Sequence, residues 1–313
     1  MLSFGNFAIV LETNPLCELS IIIVNHNTAD MLVRCLHSIR SQSGHNPEVI
    51  LVDNASRDNS LEVTNGFLPW LKVIANKRNL GFARANNQAL KISKGRFIYF
   101  LNPDTELKEG AFDAIIEFME SNPEVGLAGT RILNPDGSFQ SSVEKRYPGE
   151  RHSRGELSGL KGDIAWVSGA SMIARRSVMR EVMGFDERFF VYGEDLDLCL
   201  AVRNAGWTIG YIPEALVVHW GGVSERDTLP IEVWKKKFNA EFLFYQKHYS
   251  EKTIKAIRRA NIIQALWRIF TLKLTLPFCN RKEVSQEKLD KYRLMFATFR
   301  ERKILYNDSS ANP

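Results

Sequence analysis

Short apolar runs alternate with helical patterns through the first 130 residues of this chain, and that rhythm constrains the fold more than any other feature. Residues 19–24, LSIIIV, are β-branched and continuous, as in a strand buried on both faces of a parallel sheet. The stretch MLVRCLHSIRSQ follows and places Leu32, Cys35, Leu36 and Ile39 on one helical face, with Thr28 or Asp30 as its cap. The pattern then recurs. EVILVD (48–53), LKVIA (71–75), FIYFL (97–101) and VGLAGTRI (125–132) read as strands, while FARANNQALKIS (82–93) and AFDAIIEFMESN (111–122) read as helices. Strands alternating with helices predict βαβ units and an α/β fold, a mostly parallel, Rossmann-like sheet flanked by helices.

In such a sheet ligands bind beyond the carboxyl ends of the strands. Those ends here carry Asn25-His26-Asn27, Asp53-Asn54-Ala55-Ser56 and Asn102-Pro103-Asp104. Three strand ends rich in Asp and Asn predict a polar cleft. The stretch 133–165 is polar and opens on the turn Asn134-Pro135-Asp136-Gly137, which predicts a hairpin followed by a long loop, read as a lid over the cleft. Beyond it come WVSGASMIARRSVMREV (166–182), a helix EDLDLCLAVRNAG (194–206) and two strands, TIGYIP and LVVHW.

From about residue 228 the chain turns helical, basic and aromatic. From Ile231 onward there are 18 Lys and Arg against 8 Asp and Glu, whereas the preceding 230 residues are net acidic. This asymmetry points to an anionic partner for the tail alone, nucleic acid or anionic lipid. The segment 262–278 is strongly apolar but interrupted by Arg268 and Lys273, so no uncharged run reaches the roughly 20 residues that cross a bilayer. The opening MLSFGNFAIVLETN lacks the basic start of a secretory signal, and the four cysteines lie far apart without a C-x-x-C pair. Both features predict a reducing, cytoplasmic location, at most on a membrane surface. Three parts are expected: an N-terminal extension (1–17), a catalytic domain (18–227) and a basic helical region (228–313).

Two common nucleotide motifs are absent. There is no G-x-x-x-x-G-K-[ST] loop and no G-x-G-x-x-G after the first strand, which removes the main support for kinase and nicotinamide-dependent chemistry. A diphosphate bound here would need a metal to neutralise it. Asp104, after an apolar strand and a proline-fixed turn, can offer its carboxylate to Mg2+ or Mn2+, which take one or two protein carboxylates plus phosphate oxygens and water. Alternatively Asp104 or Thr105 caps a helix beginning near Glu109. Asp53 can accept a hydrogen bond from a base or ribose, or close an Asx turn within DNAS. Arg84 can meet a base or diphosphate where Gly81 permits close backbone approach to ligand, or be a solvated helix-face arginine. Glu194 and Asp195 begin a helix after an aromatic loop; one can serve as general base, or both can simply favour the helix N-terminus. His219, at a strand end before Gly221-Gly222, can be a further metal ligand or a structural histidine.

Taken together, seven segments resemble the family 2 inverting glycosyltransferases: IIIVNHN, VDNASRDNS, NKRNLGFARANNQAL, FLNPDTEL, WVSGASMIARR, GFDERFFVYGEDLDLCLAVRNAGW and VVHWGG. The resemblance covers about 18–225 and implies the A-type nucleotide-diphosphosugar transferase fold. It implies that Asp53 contacts the nucleoside, with Asn25, Asn27, Arg84, Asn102 and Asp104 completing the nucleotide site. It makes Asp104 the metal ligand of a D-x-D-like motif, His219 a second ligand, and Asp195 the catalytic base beside Glu194. Trp166, Ser168, Gly169 and Ala170 would line the pocket for donor sugar and acceptor. The metal motif reads Asn102-Pro103-Asp104, lacking its first acid, a form that looks like the bacterial rhamnosyltransferases of O-antigen and cell-wall assembly. The implied partners are a dTDP- or UDP-linked sugar and a saccharide or lipid-linked acceptor, with no nucleic acid. The tail then lies on anionic membrane, packs on the catalytic domain or joins another subunit in a homo-oligomer. A non-catalytic nucleotide-sugar-binding module and a sugar nucleotidyltransferase are the competing readings.

Overall fold

The computed structural model describes residues 17–223, 228–276 and 282–301. The expected N-terminal extension, apart from Cys17, and Cys279 lie outside them. The chain runs β1 (Leu19–Asn25), α1 (Ala29–Arg40), β2 (Glu48–Asp53), α2 (Ser60–Val63), β3 (Leu71–Ala75), α3 (Phe82–Ile92), β4 (Phe97–Leu101) and β5 (Thr105–Leu107). It continues with α4 (Ala111–Ser121), β6 (Val125–Leu133), β7 (Val143–Glu144), β8 (Trp166–Val167), β9 (Ser171–Arg175), α5 (Arg176–Glu181) and α6 (Glu194–Asn204). β10 (Thr208–His219), α7 (Pro230–His248), α8 (Glu251–Thr275) and α9 (Lys282–Glu301) complete it.

The main sheet has the order β3-β2-β1-β4-β9-β6-β10-β5. Strands β3, β2, β1 and β4 are parallel to one another, as β6 is to β10, while β9 and β5 run antiparallel to their neighbours. This is the expected, mostly parallel sheet. Strand β1 shows why the run LSIIIV suits its centre: Leu19, Ile21 and Ile23 face one core, Ile22 and Val24 the other. The first core is closed by Leu32, Cys35, Leu36 and Ile39 of α1 with Phe112, Ile115 and Met119 of α4. The second is closed by the alanines of α3 and by Val178, Met179, Leu198 and Val202. Each fully buried isoleucine contributes roughly 1.5–3 kcal/mol of hydrophobic stabilisation.

Four local expectations change. Thr28 stands at the N-cap of α1, but its hydroxyl donates to Asn25 Oδ1, and Asp58 accepts from the Ala29 N–H. TIGYIP and LVVHW form one strand, β10, with a register shift between Ile212 and Leu216 where Pro213 has no N–H to donate. Asp104 and Thr105 cap no helix. Strand β5 follows them directly, and α4 starts only after Gly110 in the left-handed conformation. The hairpin at 134–137 forms, with the Gly137 N–H donating to Asn134 O, but the loop beyond it does not cover the cleft. Tyr147 stacks on Phe244, and Arg203 donates to the carbonyls of Leu160, Lys161 and Gly162, so these contacts tie the loop to α6 and α7.

A third core joins the C-terminal helices to the sheet domain: Tyr147, Phe189, Leu196 and Leu200 pack against Phe238, Phe242, Phe244 and Phe299. The basic tail therefore packs on the rest of the chain. One face of α8 stays bare, with Ile263, Leu266, Trp267, Phe270 and Leu274 exposed at helical spacing. Among the described residues, no helix is long and apolar enough to cross a membrane.

Candidate active site

A cleft of about 480 Å³ opens at the carboxyl ends of β1, β2 and β4. Its walls include Asn102, Asp104, Trp166, Ser168, Gly169, Ala170, Glu194, Asp195 and His219. Segments more than a hundred residues apart thus converge where the sheet topology predicts a ligand.

Asp104 and His219 meet because β5 pairs with the end of β10, setting His219 opposite Thr105. His219 Nε2 lies 3.3 Å from Asp104 Oδ1, and both side chains are largely buried. The hairpin after β6 returns Gln140, whose Oε1 sits 2.9 Å from His219 Nδ1. With the amide oxygen toward the ring, Nδ1 donates and Nε2 turns a lone pair toward the carboxylate. Two such atoms facing each other across 3.3 Å can both be donors to one metal ion beside them. Among the described residues no three His, Cys, Asp or Glu side chains gather at one point. Two protein donors beside an open cleft fit Mg2+ or Mn2+, which fill their remaining positions with phosphate oxygens and water.

Glu194 and Asp195 start α6 directly after Gly193. The N–H groups of Gly169 and Leu196 donate to Asp195 Oδ2 and Oδ1 at 3.0 and 2.9 Å, fixing the carboxylate in the cleft wall. Burial raises its pKa, opposed by those hydrogen bonds. Glu194 is 7% exposed, and its Oε2 has no hydrogen-bond partner. Burial first, then the charge of Asp195, pushes Glu194 up to about 8. The pair therefore favours one protonated and one ionised carboxyl. An ionised carboxylate fixed by backbone N–H groups in a cleft can accept a proton from a bound hydroxyl.

The expected nucleotide residues divide. Asn102 and Asp104 line the cleft; Asn25, Asn27, Asp53 and Arg84 do not. Asp53 is 1% exposed and closes the turn, accepting from Asn25 Nδ2, the Ser56 hydroxyl and the Ser56 N–H. Asn25 is held between Asp53, Ser56 and Thr28. Asn27 Oδ1 accepts from the Arg57 N–H. Arg84 forms a half-exposed ion pair with Glu187 at 2.9 Å. Gly81, at φ +83°, serves another backbone rather than a ligand, since a Cβ there would lie 2.5 Å from Phe190 O. At this end of the cleft His26, Asn54 and Asn79 take their places. On the other side α7 supplies Trp234, Lys236, Lys237 and Glu241, none of which motif reading singles out. The aromatic and basic composition of the tail was the one signal that could have found them.

The order of this sheet, with a polar cleft at its strand ends, is that of the A-type nucleotide-diphosphosugar transferase fold. The glycosyl transferase family 2 model matches residues 20–183, just over half of the chain, which therefore belongs to that family. The N-acetylglucosaminyl-diphospho-decaprenol L-rhamnosyltransferase of Mycobacterium tuberculosis is 28% identical over 64% of this chain and 75% of its own length. The rhamnosyltransferase WbbL of Escherichia coli is 25% identical over 64% of this chain and 82% of its own. Among solved structures, the mannosyltransferase PcManGT of Pyrobaculum calidifontis, in complex with GDP-Man and Mn2+, has a TM-score of 0.57 at 16% identity. That match covers 90% of this chain and 86% of that one.

Proposed function

We propose that this protein transfers a sugar, rhamnose as the first candidate, from a dTDP- or UDP-linked donor to an acceptor hydroxyl with inversion, in cell-surface polysaccharide synthesis. The observation that carries the reading is the meeting, in one cleft, of the facing Asp104–His219 pair with the backbone-held carboxylate of Asp195. The names of the two rhamnosyltransferase relatives support the choice of sugar. Nucleotidyl transfer and simple binding each lack such support.

Asp104 and His219 would hold Mg2+ or Mn2+, which supplies positive charge against the departing diphosphate. Gln140 keeps the His219 ring oriented for that role. Asp195 removes the proton of the acceptor hydroxyl as its oxygen bonds to the anomeric carbon, and the nucleoside diphosphate leaves from the opposite face. No covalent enzyme intermediate forms. Glu194, protonated, spares Asp195 a second negative charge beside it. Trp166 and the Ser168–Ala170 backbone border the space for donor sugar and acceptor. Asp53, Asn25 and Asn27 act at one remove, shaping the base-binding end, and Arg84 pairs with Glu187 on the rim.

Residues 18–227 carry the donor chemistry in this reading, and the helices from residue 228 onward carry the acceptor side and the membrane contact. Trp267 is 62% exposed, and Arg259 and Lys273 flank the apolar stripe of α8. Such a face suits the headgroup region of an anionic leaflet, on the inner side of the cytoplasmic membrane. The test is product analysis with membrane extract as acceptor. Wild type should release nucleoside diphosphate, and Asp195→Asn should keep donor binding yet lose transfer by at least a hundredfold. Pyrophosphate release, or full turnover by the variant, refutes the reading.

A further inference from the structure

Helix α7 gives the cleft a wall that lies wholly beyond the stretch matched by the family model. Trp234, Lys237, Ala240 and Glu241 fall on one helical face, and all four border the cleft. Ala240 fixes how near that face comes to the catalytic carboxylates. A Cβ added to Gly193, the residue before Glu194 and Asp195, would lie 3.4 Å from the Ala240 methyl. Lys237, three residues earlier, and Glu241, the next residue, therefore flank the point where α7 meets the start of α6.

These two side chains carry opposite charge one helical turn apart, yet among the described residues they form no ion pair with each other. Lysine four residues before glutamate is the less favourable order for such a pair. The Lys237 ammonium lies instead over the Tyr192 and Trp234 rings, 4.9 and 5.3 Å from their centroids. Glu241 Oε2 accepts from the Tyr245 hydroxyl at 3.3 Å. Burial raises the pKa of Glu241, opposed by that hydrogen bond and by the charge of Lys291 on α9. Lys291 does not border the cleft, so it balances the carboxylate from within the helical layer and leaves the cleft side to a ligand. A carboxylate has room for about four hydrogen bonds and an ammonium can donate about three, so much of the capacity of both groups is unused. The pair also filters what the cleft can hold. An anion drawn to Lys237 meets Glu241, and a cation drawn to Glu241 meets Lys237. A neutral partner that donates to one and accepts from the other satisfies both, and two neighbouring hydroxyls of a sugar ring do this.

We propose that Lys237 and Glu241 determine which hydroxyl of the acceptor is glycosylated: Glu241 accepts from one non-reacting hydroxyl, Lys237 donates to its neighbour, and the attacking hydroxyl is thereby presented to Asp195. The proposal rests on the transferase reading and adds to it the residues that fix the linkage. A stereoisomer with either hydroxyl turned away leaves a charged group of the cleft unpaired, and a site built on such hydrogen bonds rejects it strongly. Choice of linkage then resides in α7, outside the segment that the chain shares with its family model.

The experiment is steady-state transfer by the full chain with Mn2+, dTDP- and UDP-linked sugars as donors and membrane extract as acceptor, read as nucleoside diphosphate release. Glu241→Gln keeps the size of the side chain and its hydrogen bond from Tyr245, while Lys237→Met keeps the length and removes the charge. Each should raise the extract concentration at half-saturation by about tenfold or more, the loss of one charge-assisted hydrogen bond. Affinity for dTDP or UDP with Mn2+, titrated on the same samples, should stay within about twofold of wild type, which also reports an intact fold. Lys235→Met removes a cation of the same helix that pairs with Glu232 and borders no cleft, and should leave half-saturation unchanged. Wild-type half-saturation in either cleft variant overturns the proposal. So does a matching loss of nucleotide affinity, which would place α7 in the donor site, or an equal shift in Lys235→Met, which would make the net charge of the helix the cause. Absence of nucleoside diphosphate release by the wild type is a different result and sinks the transferase reading itself.

Discussion

Replacing Glu194 by glutamine should stabilise the protein at neutral pH and remove most of a pH dependence that the wild type shows. Burial and the neighbouring Asp195 raise Glu194 from its ordinary 4.5 to about 8. Below pH 4.5 both folded and unfolded chains hold the proton, and the group contributes nothing to the pH dependence. Between 4.5 and 8 the unfolded chain has released a proton that the folded chain keeps, so the unfolded state gains and stability falls as pH rises. The slope is about 1.4 kcal/mol per pH unit, which reaches roughly 3 kcal/mol by pH 7 and levels off above pH 8. That figure is a ceiling, because Asp195 titrates in the same site and shares the proton. Glutamine keeps the size of the side chain and has no proton to lose. Urea unfolding at pH 5 and pH 8 is the assay. Wild type should lose about 2–4 kcal/mol between those pH values relative to Glu194→Gln, with the two closest at pH 5. Parallel pH profiles for the two proteins would refute a buried, protonated Glu194.

Gln140→Ala should weaken Mn2+-dependent nucleotide binding about tenfold, because it removes the hydrogen bond that orients His219; wild-type affinity of the variant with Mn2+ in titration calorimetry would contradict this. Phe244→Ala should cost about 3–5 kcal/mol of unfolding free energy, since that ring is fully buried where α7 meets Tyr147. A loss below 1 kcal/mol would mean that the C-terminal helices do not share the core of the sheet domain.

Much of the fold could be read from the chain because strands β1, β2 and β4 are buried on both faces and are written in β-branched and aromatic residues. Asp104, Asp195 and His219 come to one cleft for a related reason. Each sits at a strand or helix end, and the topology of a parallel sheet sends such ends to one place. What stayed hidden depends on contacts distant in sequence. Nothing in SMIAR fixes the direction of β9, which is decided by its two neighbours. Gln140 reaches His219 only because a hairpin folds back along β6. Asp53 carries the acid expected at a strand end, and Asn25 and Ser56, which donate three hydrogen bonds to it, are partners that the strand pattern did not foretell. Gly81, expected to bring backbone close to a ligand, instead makes room for the backbone of Phe190. Trp234 and Lys237 belong to a helix that no motif links to the cleft, and only packing on Phe189 and Leu196 brings it there.

The central claim is that Asp104 and His219 form a divalent-metal site for a nucleotide diphosphate. Calorimetric titration of dTDP, UDP and GDP, each with and without Mg2+ or Mn2+, tests it most directly. The account predicts that dTDP or UDP binds only with metal and that Asp104→Ala abolishes the binding. Equal binding without metal, or full metal-dependent binding by Asp104→Ala, would contradict it.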